Sequence, residues 1–352
     1  MRDYDPDFAY PSQRHFRGQG KGLTVQYLVS LIPLVFIYGI LVLGLNLQVG
    51  QTGILNLTYF TFVAFGAYIS AVLSLPPADP STGITYILGA NLPFPLTTLL
   101  AGCAAAILGV LISFAALQRL RSDYLAIVTV GAGYVIYTVV GNQANLFDGW
   151  NGLFGISTPV PQNLGPNAQM LFFSGICLIF LVVVFTAVER IRRSPLGRVL
   201  RAIRDDEGVV AAFGRDVFRL RVMTFALGCF VAGVGGSLLV MYATAFNPQS
   251  FLPPETFIMF AAMIIGGIGN NWGSLLGAAV VPVAFAEATR FIPEFGHAGL
   301  VEDLRAVVVG VLLILVLRFM PQGLIKERPP VDRDQPARAD QGLARLLKGA
   351  RS

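Results

Sequence analysis

The chain has 352 residues, of which 55% are hydrophobic and only 13% charged, with a mean hydropathy of +0.67. Soluble domains carry about a quarter charged residues, so the composition excludes an ordinary soluble enzyme and points to an integral membrane protein. The formal net charge of +5 sits mainly in loops and tail, where basic residues set orientation in a bilayer and nucleic-acid binding is not implied.

Residues 1–24 form a polar N-terminal segment without the apolar centre of a secretory signal peptide. A transmembrane domain is expected over 25–320, beginning with Val25–Leu47, an apolar run long enough to cross a bilayer as a helix. The stretch GLNLQVGQTGILNLTYF, residues 44–60, then places Asn46, Gln48, Gln51, Thr52, Asn56 and Thr58 among apolar residues around Gly50 and Gly53. It reads as a broken helix or as an interfacial turn. Irregular backbone survives at membrane depth only where protein buries it or a watery cavity meets it. Spans Leu57–Leu75, Pro95–Leu117, Tyr124–Gly141 and Met170–Val188 follow. Loops 76–96 and 142–168 contain no Lys or Arg and belong outside, whereas the turn around Arg119 and Arg121 belongs in the cytoplasm.

Residues 190–221 hold nine arginines against four acids, a dense charge block between nearly charge-free runs. Ser194 suits a helix N-cap and Pro195 the first helical position, where proline loses no needed donor. Leu196, Leu200 and Ile203 recur on one helix face, while Arg198, Arg201, Asp205 and Asp206 fall largely elsewhere, so the segment is amphipathic. Glu207 to Phe213 suits a second short helix that Gly214 can end. The pair reads as an element that seats in a partner's groove; the alternative is a basic loop held against anionic headgroups.

Spans Val222–Ala243, Phe257–Ile268, Trp272–Ala288 and Ala306–Leu317 lead to a basic cytoplasmic tail over 321–352. Within them IIGGIGNNWGSLLG, residues 264–277, sets Gly266, Gly267, Gly269 and Gly273 beside Asn270 and Asn271, a second candidate interruption. Paired interrupted segments in a transporter point to the substrate path; ordinary interfacial turns are the other reading. The small-residue runs Gly269, Gly273, Gly277 and Gly228, Ala232, Gly236 suit close helix packing or a mobile seam. The expected fold class is an all-α polytopic transmembrane helix bundle of about eight or nine spans, some interrupted, with a cytoplasmic loop of short helices. Nine crossings with a cytoplasmic C-terminus put the N-terminus outside, although Arg2, Arg14, Arg17 and Lys21 favour the opposite side. Either it is outside, or one element does not cross fully.

No ionisable side chain lies near the middle of any span, which argues against a proton relay. Carbonyl-coordinated sodium or a passive channel stays open. Cys103, Cys177 and Cys229 lack CxxC spacing, and His15 and His297 stand far apart in polar flanks, so no metal site and no catalytic residue are expected. No GxxxxGK[ST] occurs. Active transport would therefore draw its energy from another chain.

The stretches LGLNLQVGQTGILNL (43–57), FGAY (65–68), RSDYLAIVTVG (121–131), DGWNGLFGI (148–156), SPLGRVLRAIRDDE (194–207), FNPQSF (246–251), GGIGNNWGSLLGA (266–278) and MPQGL (320–324) occur in this order. Together they resemble the branched-chain amino acid ABC transporter permeases, in particular the M-type subunit of the Liv-like importers. The resemblance covers roughly residues 35–325. It implies a permease in the bacterial inner membrane that pairs with a second homologous permease, two cytoplasmic ABC ATPases and a periplasmic or lipid-anchored substrate-binding protein. The chain itself would bind no cofactor, with ATP and Mg acting through the partner ATPase. Residues 194–213, with Ser194, Pro195, Leu196, Gly197, Leu200, Arg201, Ile203, Arg204, Asp205, Asp206, Glu207 and the following Gly214, look like the coupling region. Asn46, Gln51, Asn56, Thr58, Gly266, Gly267, Gly269 and Asn270 would lie along the substrate path. The implied cargo is a branched-chain or related amino acid; alternatives are urea or short amides in the same architecture, or a stand-alone channel or ion-coupled carrier. Many relatives have a further apolar helix where this chain has its polar N-terminal segment, and DGWNG departs from the threonine and glycine pair common in the family.

Overall fold

The apolar runs become helices in the computed structural model, which describes residues 20–77, 86–117, 122–143, 147–161, 163, 165–248, 253–284, 307, 310–311, 314–315, 318–319 and 323–327. In chain order these are α1 (Gly20–Thr52), α2 (Tyr59–Ser74), α3 (Phe94–Leu117), α4 (Ser122–Asn142), the short strand β1 (Leu153–Phe154), α5 (Pro166–Arg193), α6 (Pro195–Asp205), α7 (Glu207–Ala212), α8 (Val217–Ala243), strand β2 (Ala245–Phe246), α9 (Pro253–Gly266) and α10 (Asn271–Ala278). A π-helical turn over Ala279–Ala284 prolongs α10. The N-terminal segment 1–19, the Arg119–Arg121 turn, residues 285–306 and the tail beyond Glu327 lie outside the described residues, as does part of the expected span Ala306–Leu317.

α8 is the central post of the bundle. At 27 residues it rises about 40 Å, and α1, α2 and α3 pack around it. α2 can lie directly on α8 because a methyl group on Gly66 would collide with the Gly233 backbone, while one on Gly233 would collide with α3 at Ala101 and Ala105. The buried hydroxyls at this seam satisfy one another, Ser70 Oγ and Thr98 Oγ1 lying 2.7 Å and 2.9 Å from Ser237 Oγ. The small-residue run at Gly228, Ala232 and Gly236 thus serves tight packing within the chain. Gly277 does the same against the Ala262 carbonyl, closing α9 and α10 into a hairpin.

Helix directions follow from contacts at known levels of α8. Gln48 near the end of α1 donates to the Phe225 carbonyl at 2.8 Å, whereas Tyr242 near the end of α8 donates to the Ser30 carbonyl at 3.0 Å. α1 is therefore antiparallel to α8 and starts at the end of the bundle opposite the arginine-rich helices α6 and α7. Relative to the arginine end, α1 begins on the far side of the bundle. At that far end β1 pairs antiparallel with β2, Leu153 opposite Phe246 and Phe154 opposite Ala245. Tyr68 packs there against Phe147, tilted, and Phe246, edge to face, with ring centroids 4.9 Å and 5.2 Å away. Loops 76–96 and 142–168 meet through the bridge between Tyr86 and Phe147, so the two loops without basic residues share one end.

Four helical stretches among the described residues are long and apolar enough to cross a membrane by length and composition: Val29–Thr52, Phe94–Phe114, Asn167–Arg193 and Val217–Ala243. Tyr59–Ser74, Ile127–Asn142 and Glu255–Gly266 are shorter apolar helices. The 14-residue α9 rises only about 21 Å, less than the roughly 30 Å hydrocarbon core. The expected span Phe257–Ile268 is thus one arm of a hairpin.

Candidate functional site

Ser194 and Pro195 start α6 as their residue types dictate. The Ser194 hydroxyl accepts from the Gly197 N–H at 3.3 Å and donates to the Ile191 carbonyl at 2.7 Å, tying the end of α5 to the start of α6. Gly197 sits against the carbonyls of Ile191 and Arg192, where a Cβ would collide. Asp206 ends α6 and caps α7, its Oδ1 accepting from Gly208 and Val209 at 2.8 Å and 3.2 Å. Gly214, at φ +73, follows α7. Arg221 closes the loop from behind by donating to Glu207 at 2.6 Å.

The apolar face of α6 does not point outward. Leu200 and Ile203 are buried with Val210 of α7, and Leu196, Val199, Val217 and Leu220 pack on them. They form the small core that holds the helix pair together, so an apolar stripe read from spacing alone is here satisfied within the chain. The surface left free carries Arg198, Asp205, Asp206 and Glu207 together with two exposed apolar residues, Val209 and Phe213, the latter 81% exposed.

Two arginines seat α6 on the bundle. Arg201 donates to Gln51 Oε1 at 3.3 Å and to the Arg192 carbonyl at 3.1 Å. Arg204 donates to the Gly50 carbonyl and, at 3.0 Å, to Glu327 Oε2, while Asp205 lies 3.6 Å from its Nε. Burial lowers the pKa of the Arg201 guanidinium from its ordinary value, and the Glu327 carboxylate counters that shift. Arg204 also lies across Gly53, which at φ +71 turns the chain out of α1.

From this seat a chain of hydrogen bonds enters the bundle. Gln51 donates to the Gly269 carbonyl at 3.1 Å, and the Gly269 N–H donates to Asn46 Oδ1 at 2.8 Å. Asn46 donates to Asn271 Oδ1 at 3.0 Å, and Asn271 donates to Glu189 Oε2 at 2.8 Å. Glu189 accepts further from Arg192 and Arg193, both at 2.6 Å, at the end of α5. Asn270 caps α10 through the Trp272 and Gly273 N–H groups and donates to the Lys326 carbonyl at 3.0 Å. Gly267 and Gly269, at φ +119 and +79, make the turn between α9 and α10, and Gly266 packs on Gly273. A second set lies where α1 passes into α2: Asn56 donates to Gln48 Oε1 at 3.1 Å and Thr58 to the Thr129 carbonyl at 2.7 Å.

The two groups of residues singled out in the sequence therefore meet. Asn46, Gln51, Gly269 and Asn270 stand directly above Arg201 and Arg204, and the first helix differs from expectation in one respect. It continues through Gly50 to Thr52, so the interruption expected over 44–60 is confined to the segment from Gly53 to Thr58. Glu189, Asn271 and Glu327 were not among the candidates. Glu189 carries a signal in its spacing to Arg192 and Arg193, but nothing local to Glu327 announces a contact 123 residues away.

Residues 27–317 match the family described as branched-chain amino acid transport system / permease component. The chain belongs to this family. It is 30% identical over 324 residues to the high-affinity branched-chain amino acid transport system permease protein LivM of Escherichia coli (strain K12), covering 86% of this chain and 71% of the relative. The same identity over 328 residues, 86% of this chain and 94% of the relative, holds for the probable LivM of Methanocaldococcus jannaschii. The LivH permease of Escherichia coli (strain K12) is 24% identical over 339 residues, 93% of this chain and 98% of that protein. No solved structure matches. The relatives are transport permease components, and the apolar helices of this permease fit insertion in a membrane.

Proposed function

We propose that this permease is the membrane-spanning subunit of an ABC importer for branched-chain or related amino acids, driven by ATP hydrolysis in a partner ATPase. The observation that carries the reading is the seated helix pair α6–α7, an ordered and charged element at one end of an apolar bundle with Phe213 and Val209 left exposed. A groove in each of two cytoplasmic ATPases would receive such a pair, one from this chain and one from a second, homologous permease. The density of arginine around α6 makes this end cytoplasmic, in the inner membrane of a bacterium, with the C-terminal tail on the same side. The far end, with β1, β2 and the loops that lack basic residues, would face a periplasmic or lipid-anchored binding protein.

In this reading Asn46, Gln51, Asn56, Thr58 and the Gly266–Asn270 turn lie along the substrate path. Asn46, Gln51 and Asn56 are fully buried and hydrogen-bonded in this conformation, so cargo would meet them only when α1 and the α9–α10 hairpin part. ATP-driven movement of α6 is the natural trigger, since α6 is bonded to α1 directly and to the α9–α10 hairpin through Glu327.

The test is reconstitution of the permease with its co-encoded permease, ATPases and binding protein in liposomes. ATP-dependent uptake of leucine, isoleucine or valine is expected, and none of urea. Uptake driven by a proton or sodium gradient in vesicles lacking any ATPase would overturn the reading.

A further inference from the structure

The segment Gly323–Glu327 returns to the bundle and lies across the turn between α9 and α10. Leu324 and Ile325 donate to the Ile265 and Gly266 carbonyls at 2.7 Å and 3.1 Å, satisfying acceptors that the end of α9 leaves open. The Lys326 carbonyl accepts from Asn270. These bonds deliver the Glu327 carboxylate onto the backbone of Gly269, where a Cβ would touch it. On its other side the carboxylate binds Arg204 at 3.0 Å, with both side chains about three-quarters buried at 25% and 24% exposure. Gly269 is itself bonded to Gln51 and Asn46. Glu327 thus sits where α6, the end of α1 and the α9–α10 turn come together.

We infer that Glu327 is a positioning residue for transport: through Arg204 it locks α6 to the α9–α10 turn, so that a displacement of α6 moves the turn. The inference rests on the proposed coupling role of α6–α7. Glu327→Gln removes the charge that holds Arg204 to the turn; Arg204 keeps Asp205 and the Gly50 carbonyl, and the Leu324, Ile325 and Lys326 backbone bonds stay.

In the reconstituted complex, Glu327→Gln is expected to retain its ATPases on purification and to hydrolyse ATP. Amino acid transported per ATP should fall about fivefold, the lower end of a usual coupling between sites. Glu327→Asp, which keeps the charge, should recover most of that ratio. In an Arg204→Gln background, Glu327→Gln should add less than a twofold further loss, because the two act through one contact (about a factor of two is the scatter of independent effects). An unchanged ratio in Glu327→Gln overturns the inference, as does full multiplication of the two effects. Loss of the Glu327→Gln permease from the membrane overturns it too, since the segment would then be a folding element. The coupling reading fails separately, by normal transport and ATPase binding after Phe213→Asp and Val209→Asp together.

Discussion

Asn46 shows what a buried amide does that its apolar neighbours cannot. It holds the Gly269 N–H on one side and Asn271 on the other, and with the Gln51–Gly269 bond it ties α1 to the start of α10. Asn46→Leu keeps the branched heavy-atom skeleton and removes both bonds, leaving a backbone donor and a side chain unsatisfied. It should destabilise the permease by about 1–3 kcal/mol, read as a lower thermal unfolding midpoint in detergent. Gly277→Ala belongs to the same scale but acts by crowding, because its Cβ would fall on the Ala262 carbonyl. A loss of about 1–3 kcal/mol is expected, measured the same way. An unfolding midpoint unchanged in either variant would mean that the α9–α10 hairpin adjusts more freely than its packing implies.

The helix pair α6–α7 lets stability be tested apart from the proposed docking. Ile203 and Leu200 are buried against Val210, so Ile203→Asp places a charge in a three-residue core and should melt the pair. Hydrogen exchange over 194–213 would then approach that of an unfolded segment. Phe213→Ala removes an exposed ring and should leave exchange unchanged while weakening ATPase association, read by co-purification. If both variants lose the ATPase with exchange unaltered, the apolar face of α6 is turned outward in the assembled transporter. The cap, the proline start and the terminal glycine of these helices were legible in the sequence, since each rests on a local bond or a backbone angle. Which way the amphipathic face points was not, because an apolar stripe is equally satisfied by a neighbour within the chain and by a partner.

For the whole molecule, the antiparallel run of α1 against α8 predicts a definite sidedness. With α6–α7 in the cytoplasm, a maleimide that cannot cross the membrane should label Trp150→Cys in intact cells and reach Phe213→Cys only after permeabilisation, in a Cys103→Ser background. The reverse pattern would invert the assigned orientation. Hydropathy and arginine placement identified a helical membrane bundle, its charged loop and the two glycine-rich interruptions, since those follow from the transfer of residues between water and lipid and need no knowledge of distant contacts. The ends of α9 and α10, the hairpin they make, and the meeting of Gln51, Gly269, Arg204 and Glu327 were decided by tertiary structure alone. Those contacts join residues more than a hundred positions apart, and a polar side chain in an apolar run announces that it needs a partner without saying which one.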